Sequence, residues 1–355
     1  MANKLFLNGA GGRIFICILR ALYKEKQLGS VVGFGASGPK DLRILAERLE
    51  HDSTHGRYPL EVGYTTESKF GPEHIGYITF EGEGEAYKIP IFGQPDPSKL
   101  PLTELGADVA IDATGKFLTR ELAEGFLKAG AKKVLMSAPA KDDTPLIIYD
   151  INGEKDNGLD VVSLASCTTN CAAPIVFALA ETFSYPQAIF LNTTHAVTNS
   201  QKILDGSSGK IANGFSGLNN IIVSDTGATR SLQKMFPAIK DTNGISCRVP
   251  VADGSICDLV MTFDPEDGNT AKINNESVLA ALQDYSANKY PNLLKISKRE
   301  SMISTYVLGD SHTSVVAPPQ IFCSGNTVRV IAGYDNEYAY SYQLTVSALK
   351  APLPK

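Results

Sequence analysis

Along the first 165 residues, short apolar runs recur, each followed by a turn and then by apolar positions at helical spacing. The run Lys4 to Asn8 reads as a strand, Gly9-Ala-Gly-Gly12 as a turn, and Ile16, Leu19 and Leu22 as one face of a helix. A second strand is expected over Ser30 to Phe34, a third over Ala107 to Gly115, and another over Lys133 to Ser137, with a helix from Thr119 to Ala129. Alternation with glycine-rich turns marks Glu61 to Phe92 as further strands, and Glu81-Gly-Glu-Gly-Glu85 as a solvated loop. Repeated strand and helix predict a parallel sheet.

The texture changes after an apolar strand over Leu159 to Ala165. A helix is expected beyond Asn170, a strand within Ala188 to Thr198, a helix over Arg230 to Phe236, and two strands around a turn in Gly244 to Phe263. Asp267 to Ala287 turns from polar to helical, and a last helix over about Ser341 to Ala351 carries Leu344, Val346 and Leu349 back to the first domain. The expected fold class is α/β, in two domains with limits of 1–166 plus 335–355 and 167–334.

Composition narrows the function more than the fold. A chain of 355 residues suggests about two domains. A formal charge of −5 leaves no electrostatic footprint for nucleic acid, and no apolar run approaches the roughly 18 residues of a membrane span. The N-terminus lacks the layout of a signal peptide. Six cysteines, at 17, 167, 171, 247, 257 and 323, form neither a C-x-x-C pair nor a metal spacing, so no metal site is expected and a reducing, cytoplasmic setting is.

The chemistry concentrates at Ala165-Ser-Cys167-Thr-Thr-Asn-Cys171. A strand-to-helix turn puts Cys167 at unpaired backbone N–H groups, where a thiol is expected to ionise more easily. The hydroxyls of Ser166, Thr168 and Thr169 do not belong in a dry core, whereas Cys171, one helical turn on, reads as packing. His195 is of the residue type whose ordinary pKa lies nearest neutrality. Arg248 lies in an apolar strand, costly to bury without an anion. His51, His55 and His312 read as structural, and Thr226-Gly227 on its own as a helix cap.

Ser166-Cys-Thr-Thr-Asn-Cys171 resembles the active-site signature of the phosphorylating glyceraldehyde-3-phosphate dehydrogenases, and the likeness runs with gaps from Lys4 to about Leu344. It extends through His51-Asp-Ser-Thr-His-Gly56, the His195-Ala-x-Thr-x-x-Gln201 segment and Tyr334-Asp-Asn-Glu337. The resemblance implies a Rossmann-type doubly wound sheet and an α+β catalytic domain with a mostly antiparallel sheet. It implies Cys167 as nucleophile and His195 as the base that keeps it ionised. Thr198 and Arg248 would hold the substrate's own phosphate, and Ser166, Thr168, Thr226 and Gly227 the attacking inorganic phosphate. The cofactor, NADP or NAD, would meet Gly11, Gly12, Arg13, Ile14, Ser37, Thr114, Gly115, Ser207 and Asn336. A homotetramer without membrane or dedicated nucleic-acid binding is implied.

Departures bear on the cofactor. The family's Asn-Gly-Phe-Gly-Arg-Ile-Gly is here Asn-Gly-Ala-Gly-Gly-Arg-Ile-Phe, with one glycine inserted and Phe15 in place of the last. Gly-Ala-Ser37 replaces Asn-Asp-Pro, removing a carboxylate that would repel a 2′-phosphate, and Ser37 or Lys40 could donate to one. Ser207 stands where many NAD-using members have proline. Against this, Pro95 replaces a basic residue, and loop arginines give way to Asn213 to Gly217. An erythrose-4-phosphate dehydrogenase that ends on water, and a weak paralogue acting as a binding protein, remain as alternatives.

Overall fold

The computed structural model describes residues 2–36, 41–267, 269 and 272–354. The chain divides into two compact units, Met1–Ala165 with Ser341–Lys355, and Ser166–Tyr340.

The first unit carries strands β1 (Leu5–Asn8), β2 (Val31–Gly35), β3 (His51–Asp52), β4 (Gly56–Arg57), β5 (Glu61–Thr65), β6 (His74–Gly82), β7 (Glu85–Phe92), β8 (Val109–Asp112), β9 (Lys133–Met136) and β10 (Val161–Ser163). Between them lie helices α1 (Arg13–Lys24), α2 (Leu42–Glu50), α3 (Leu102–Leu105), α4 (Arg120–Lys128) and α5 (Tyr149–Asn152). The main sheet runs β10-β9-β8-β1-β2-β7-β6-β5, parallel from β10 to β7 and antiparallel beyond. Strand order reverses at β1, so the chain leaves the C-terminal ends of β1 and β8 side by side. Such a switch point is where an open α/β sheet binds its ligand.

Parallel strands covered on both faces are mostly apolar, and β1, β8, β9 and β10 are buried at every position, each with one polar residue: Asn8, Asp112, Lys133 and Ser163. The Phe15 ring, in the place of a family glycine, packs edge-on against Phe34 at 5.0 Å, so an aromatic contact stands where a close helix-to-strand approach was lost. Leu344, Ala348 and Leu349 of the last helix join this core, and Asn3 Nδ2 donates to the carbonyls of Ala348 and Ala351.

The second unit contains α6 (Cys167–Thr182), β11 (Ala188–Ala196), β12 (Ile222–Asp225), α7 (Ala228–Met235), β13 (Asp241–Val249), β14 (Ser255–Thr262), α8 (Asn275–Asp284), β15 (Leu294–Ile296), β16 (Ser314–Ser324) and β17 (Thr327–Tyr334). The terminal helix α9 (Tyr338–Lys350) begins here and continues into the first unit. The sheet order is β12-β13-β11-β14-β17-β16-β15, mostly antiparallel, with β13 to β11 and β16 to β15 parallel. Along β14, Ser255, Cys257, Leu259 and Met261 are buried and alternate with half-buried residues, and α6 packs against β14, β16 and β17.

Both boundaries around the cysteine differ from expectation. The strand before the cysteine is only Val161–Ser163, because the backbone turns at Ala165, which has φ +59°. That left-handed conformation costs a non-glycine residue about 1–2 kcal/mol. Helix α6 begins at Cys167 rather than beyond Asn170, because Ser166 caps it, Oγ accepting from Thr169 N at 3.1 Å. Among the described residues no helix is long and apolar enough to cross a membrane.

Candidate active site

Cys167 is the first residue of α6 and half-buried. Its Sγ lies 3.4 Å from His195 Nε2, across 28 positions of sequence. The parallel pairing of β11 with β13 sets His195 opposite Arg248, and Arg248 Nη1 lies 2.6 Å from His195 Nδ1 and donates to the Ala196 carbonyl at 3.1 Å. Thiol, imidazole and guanidinium thus form one continuous contact.

Burial dominates the electrostatics of the pair. Burial pushes the Cys167 thiol up from its ordinary value, with the Arg248 guanidinium pulling the other way. Burial, with Arg248 adding to it, lowers His195 to about 3. Desolvation outweighs the helix start.

The other residues expected around the substrate divide. Ser166 Oγ accepts the capping bond, and Thr168 is buried with its hydroxyl 2.9 Å from the Tyr334 hydroxyl, which also meets Thr193 Oγ1 at 2.8 Å. Thr198 is exposed and bonds to Ser200 and Gln201. Thr226 Oγ1 accepts from Ala228 N at 3.2 Å, and Gly227 precedes α7, with an Arg230 Nη2 3.9 Å from where a Cβ would stand. Asn336 Oδ1 accepts from Ser255 Oγ at 2.6 Å, and Ser255 Oγ in turn accepts from Ala196 N at 3.1 Å. That relay assigns the carboxamide's orientation, leaving Nδ2 as the end that can donate to a ligand.

In the first unit, Gly9 (φ +110°) and Gly11 (φ +81°) turn the chain between β1 and α1. A Cβ on Gly9 would stand 3.0 Å from the Ala113 carbonyl carbon, so only glycine lets this turn lie against the segment holding Thr114 and Gly115. Gly12 N donates to Gly9 O, and the first intrahelical bond seen, Ile16 N to Gly12 O, leaves the N–H groups of Arg13 and Ile14 at the helix start. The Arg13 side chain is not available to a cofactor: it is held by Asp52. Thr114 Oγ1 donates to Asp112 at 2.7 Å, beside Asn8 Nδ2 to the same oxygen at 2.9 Å, and Gly115 (φ +66°) faces open space. This cradle fits a dinucleotide phosphate. Ser207 is exposed in a loop closed by Gly206 N to Gly214 O, and Ser37 and Lys40 lie outside the described residues.

Three residues escaped the sequence reading. Arg48, exposed on α2, donates to the Gly11 carbonyl at 2.7 Å and so brings a cation to the glycine turn. Ser255 and Tyr334 meet opposite each other on β14 and β17. The motif around Tyr334 was a signal that went unused, and nothing local marks Arg48 or Ser255. The remaining histidines are structurally engaged or exposed: His55 Nε2 meets Cys17 Sγ at 3.3 Å, buried His74 Nδ1 accepts from Lys69 N at 3.0 Å, His312 lies between Asp310 and the Pro291 carbonyl, and His51 is exposed. At Gly333, where the family has tryptophan, Met302 and Val307 fill the space.

Family models described as the glyceraldehyde 3-phosphate dehydrogenase NAD binding domain and C-terminal domain match residues 3–120 and 166–336. Glyceraldehyde-3-phosphate dehydrogenase of Bacteroides fragilis (strain YCH46) is 36% identical over 342 residues, 95% of this chain and 96% of that protein. Glyceraldehyde-3-phosphate dehydrogenase 1 of Kluyveromyces lactis is 36% identical over 345 residues, with 95% and 96% covered. Glyceraldehyde-3-phosphate dehydrogenase A of Escherichia coli (strain K12) is 34% identical over 344 residues, with 96% of each covered. With both domains matched in order and relatives alike along almost its whole length, the chain belongs to the glyceraldehyde-3-phosphate dehydrogenase family, oxidoreductases whose first domain binds NAD or NADP.

Proposed function

We propose that the chain oxidises glyceraldehyde 3-phosphate to 1,3-bisphosphoglycerate, with inorganic phosphate and through a thioester on Cys167. The observation that carries this reading is the 3.4 Å contact between Cys167 Sγ and His195 Nε2 at the start of a helix. The imidazole takes the thiol proton and returns it to the carbonyl oxygen as the sulfur adds to the aldehyde carbon, giving a hemithioacetal hydroxyl and a ring again free to accept. His195 then receives the hydroxyl proton of the hemithioacetal as the carbonyl re-forms. The nicotinamide supplies the hydride acceptor when bound, and Asn336 Nδ2 orients it by its carboxamide. Inorganic phosphate attacks the thioester carbon and the sulfur leaves as thiolate.

Arg248 and Thr198 hold the substrate phosphate. Thr226 and Gly227 at the opening of α7, with Ser166, hold the inorganic phosphate, and Thr168 acts chiefly through its bond to Tyr334 in fixing the first turn of α6. On the cofactor side, Gly11, Gly12, Arg13 and Ile14 contribute through backbone and Arg48 through charge. Ser37 and Ser207 favour a 2′-phosphate, so NADP supports turnover at least as well as NAD. The exposed apolar side chains Phe190 (56%), Val223 (58%) and Ile245 (42%) on the second sheet support a homotetramer, and six free cysteines a cytoplasmic setting.

Product analysis with purified protein and glyceraldehyde 3-phosphate tests the reading. Acyl phosphate should form only when inorganic phosphate is present. Equal turnover without phosphate would assign water as the final nucleophile. A kcat/KM strongly favouring NAD would overturn the cofactor assignment.

A further inference from the structure

Strand β14 lies between β11 and β17 in the second sheet, and its first residue reaches towards both neighbours. Ser255 is fully buried; its Oγ accepts from Ala196 N at 3.1 Å on the β11 side and stands 2.6 Å from Asn336 Oδ1, just past the end of β17. The turn that carries Asn336 is fixed separately, because Asp335 Oδ1 accepts from Glu337 N at 3.0 Å and from Tyr338 N at 2.5 Å. With the backbone held, what stays open is the last torsion of Asn336, whose two settings exchange oxygen for nitrogen.

Two observations choose between those settings. A contact of 2.6 Å falls in the range of O–H···O and below that of N–H···O, so the Asn336 atom facing Ser255 is the oxygen. The proton count agrees. Were Nδ2 turned to Ser255, the serine oxygen would accept twice, and its own proton would have no acceptor among the described residues in a fully buried position. With Oδ1 held, Nδ2 makes no hydrogen bond among the described residues, on a side chain only 5% exposed. A buried donor left over in this way calls for an acceptor from outside the chain.

We infer that Ser255 is a positioning residue that makes Asn336 read the carbonyl oxygen, and not the amino group, of the nicotinamide carboxamide. The serine proton locks Oδ1, so Asn336 offers only N–H, and the group on the carboxamide that accepts is its carbonyl oxygen. Ser255 acts through Asn336. The site therefore selects cofactors that keep a strong acceptor in place of that carbonyl. This inference rests on the assignment of Asn336 to the nicotinamide carboxamide made above.

The test is calorimetric binding of three oxidised dinucleotides to full-length protein without substrate, run in both the NADP and the NAD series. The natural cofactor presents a carbonyl and an amino group, its acetylpyridine analogue a carbonyl alone, and its thionicotinamide analogue an amino group with a weakly accepting sulfur. Wild type should bind the acetylpyridine analogue within about threefold of the natural cofactor and the thionicotinamide analogue about tenfold more weakly, the upper part of what one hydrogen bond contributes. In Ser255→Ala, Asn336 is free to turn Oδ1 to the ligand, so the order should reverse, with the acetylpyridine analogue about tenfold behind. Ratios carry the result, because a general loosening of the site weakens all three ligands alike. Equal ratios in wild type and Ser255→Ala would overturn the inference. Asn336→Ala separates the two levels: an unchanged Kd for the natural cofactor would remove Asn336 from the carboxamide and the role of Ser255 with it. Weaker binding by Asn336→Ala, together with unchanged ratios in Ser255→Ala, would remove the role of Ser255 alone. None of these readouts involves turnover, so phosphate-dependent dehydrogenation is tested separately.

Discussion

Two cysteine–histidine contacts of nearly equal length occur, one in each unit. Cys17 Sγ lies 3.3 Å from His55 Nε2, and Cys167 Sγ 3.4 Å from His195 Nε2. Cys17 is fully buried in the second turn of α1, flanked by Ile16 and Ile18. His55 sits in the β3–β4 turn, where Asp52 accepts from the N–H groups of Thr54 and His55. Cys167 instead opens its helix, is half-buried, and has a guanidinium on the far side of its imidazole. A thiol–imidazole distance becomes chemistry only when access and a place at the start of a helix accompany it.

The largest test of that contrast exchanges the sulfur atoms. Cys167→Ser should lower kcat by about 10⁴-fold or more. Cys17→Ser should leave kcat unchanged and cost ~1–3 kcal/mol of stability, read from denaturant midpoints, because a hydroxyl is placed among apolar side chains. Comparable losses of kcat in both variants would erase the distinction.

The imidazoles should separate next. His195→Asn is expected to reduce kcat about 10²- to 10⁴-fold, and His55→Asn to leave it intact. A smaller effect belongs to the glycine turn. Arg48→Gln should weaken NADP binding, measured by calorimetry, about tenfold and flatten its salt dependence, since one charge-assisted contact is worth about 1.5–3 kcal/mol. An unchanged Kd would remove Arg48 from the cofactor site.

The smallest effect is on acid stability. His195 titrates at about 3 in the folded protein, against about 6.5 unfolded. Between those values the unfolded chain binds more protons, so the contribution of this residue to stability is present above pH 6.5 and is lost as pH falls towards 3. Midpoints measured across that window should fall less steeply for His195→Asn than for wild type, whereas His55→Asn should follow wild type. Parallel curves for all three proteins would show that burial does not hold the His195 ring neutral.

How far the site was legible depends on the range of the interaction. Ser166 to Cys171 is contiguous, and its type and spacing marked the nucleophile. The helix start was misplaced because Ser166, Thr168 and Thr169 read as turn residues, and only the Ser166 cap shows the first as a boundary and the others as helical. Phe15 was visible as a departure, but its remedy, the ring of Phe34, depends on α1 lying on β2. Ser255 has no local signature: its part comes from Ala196 and Asn336, 59 and 81 positions away.

Apolar periodicity and contiguous motifs by themselves determined the kinds of element, the family and the reactive sulfur, because each acts over a few neighbouring residues. Tertiary structure decided how deeply that sulfur is buried and what faces its base. Burial is a property of the folded surroundings, and the parallel register of β11 on β13 brings Arg248 to His195 across 53 residues of chain.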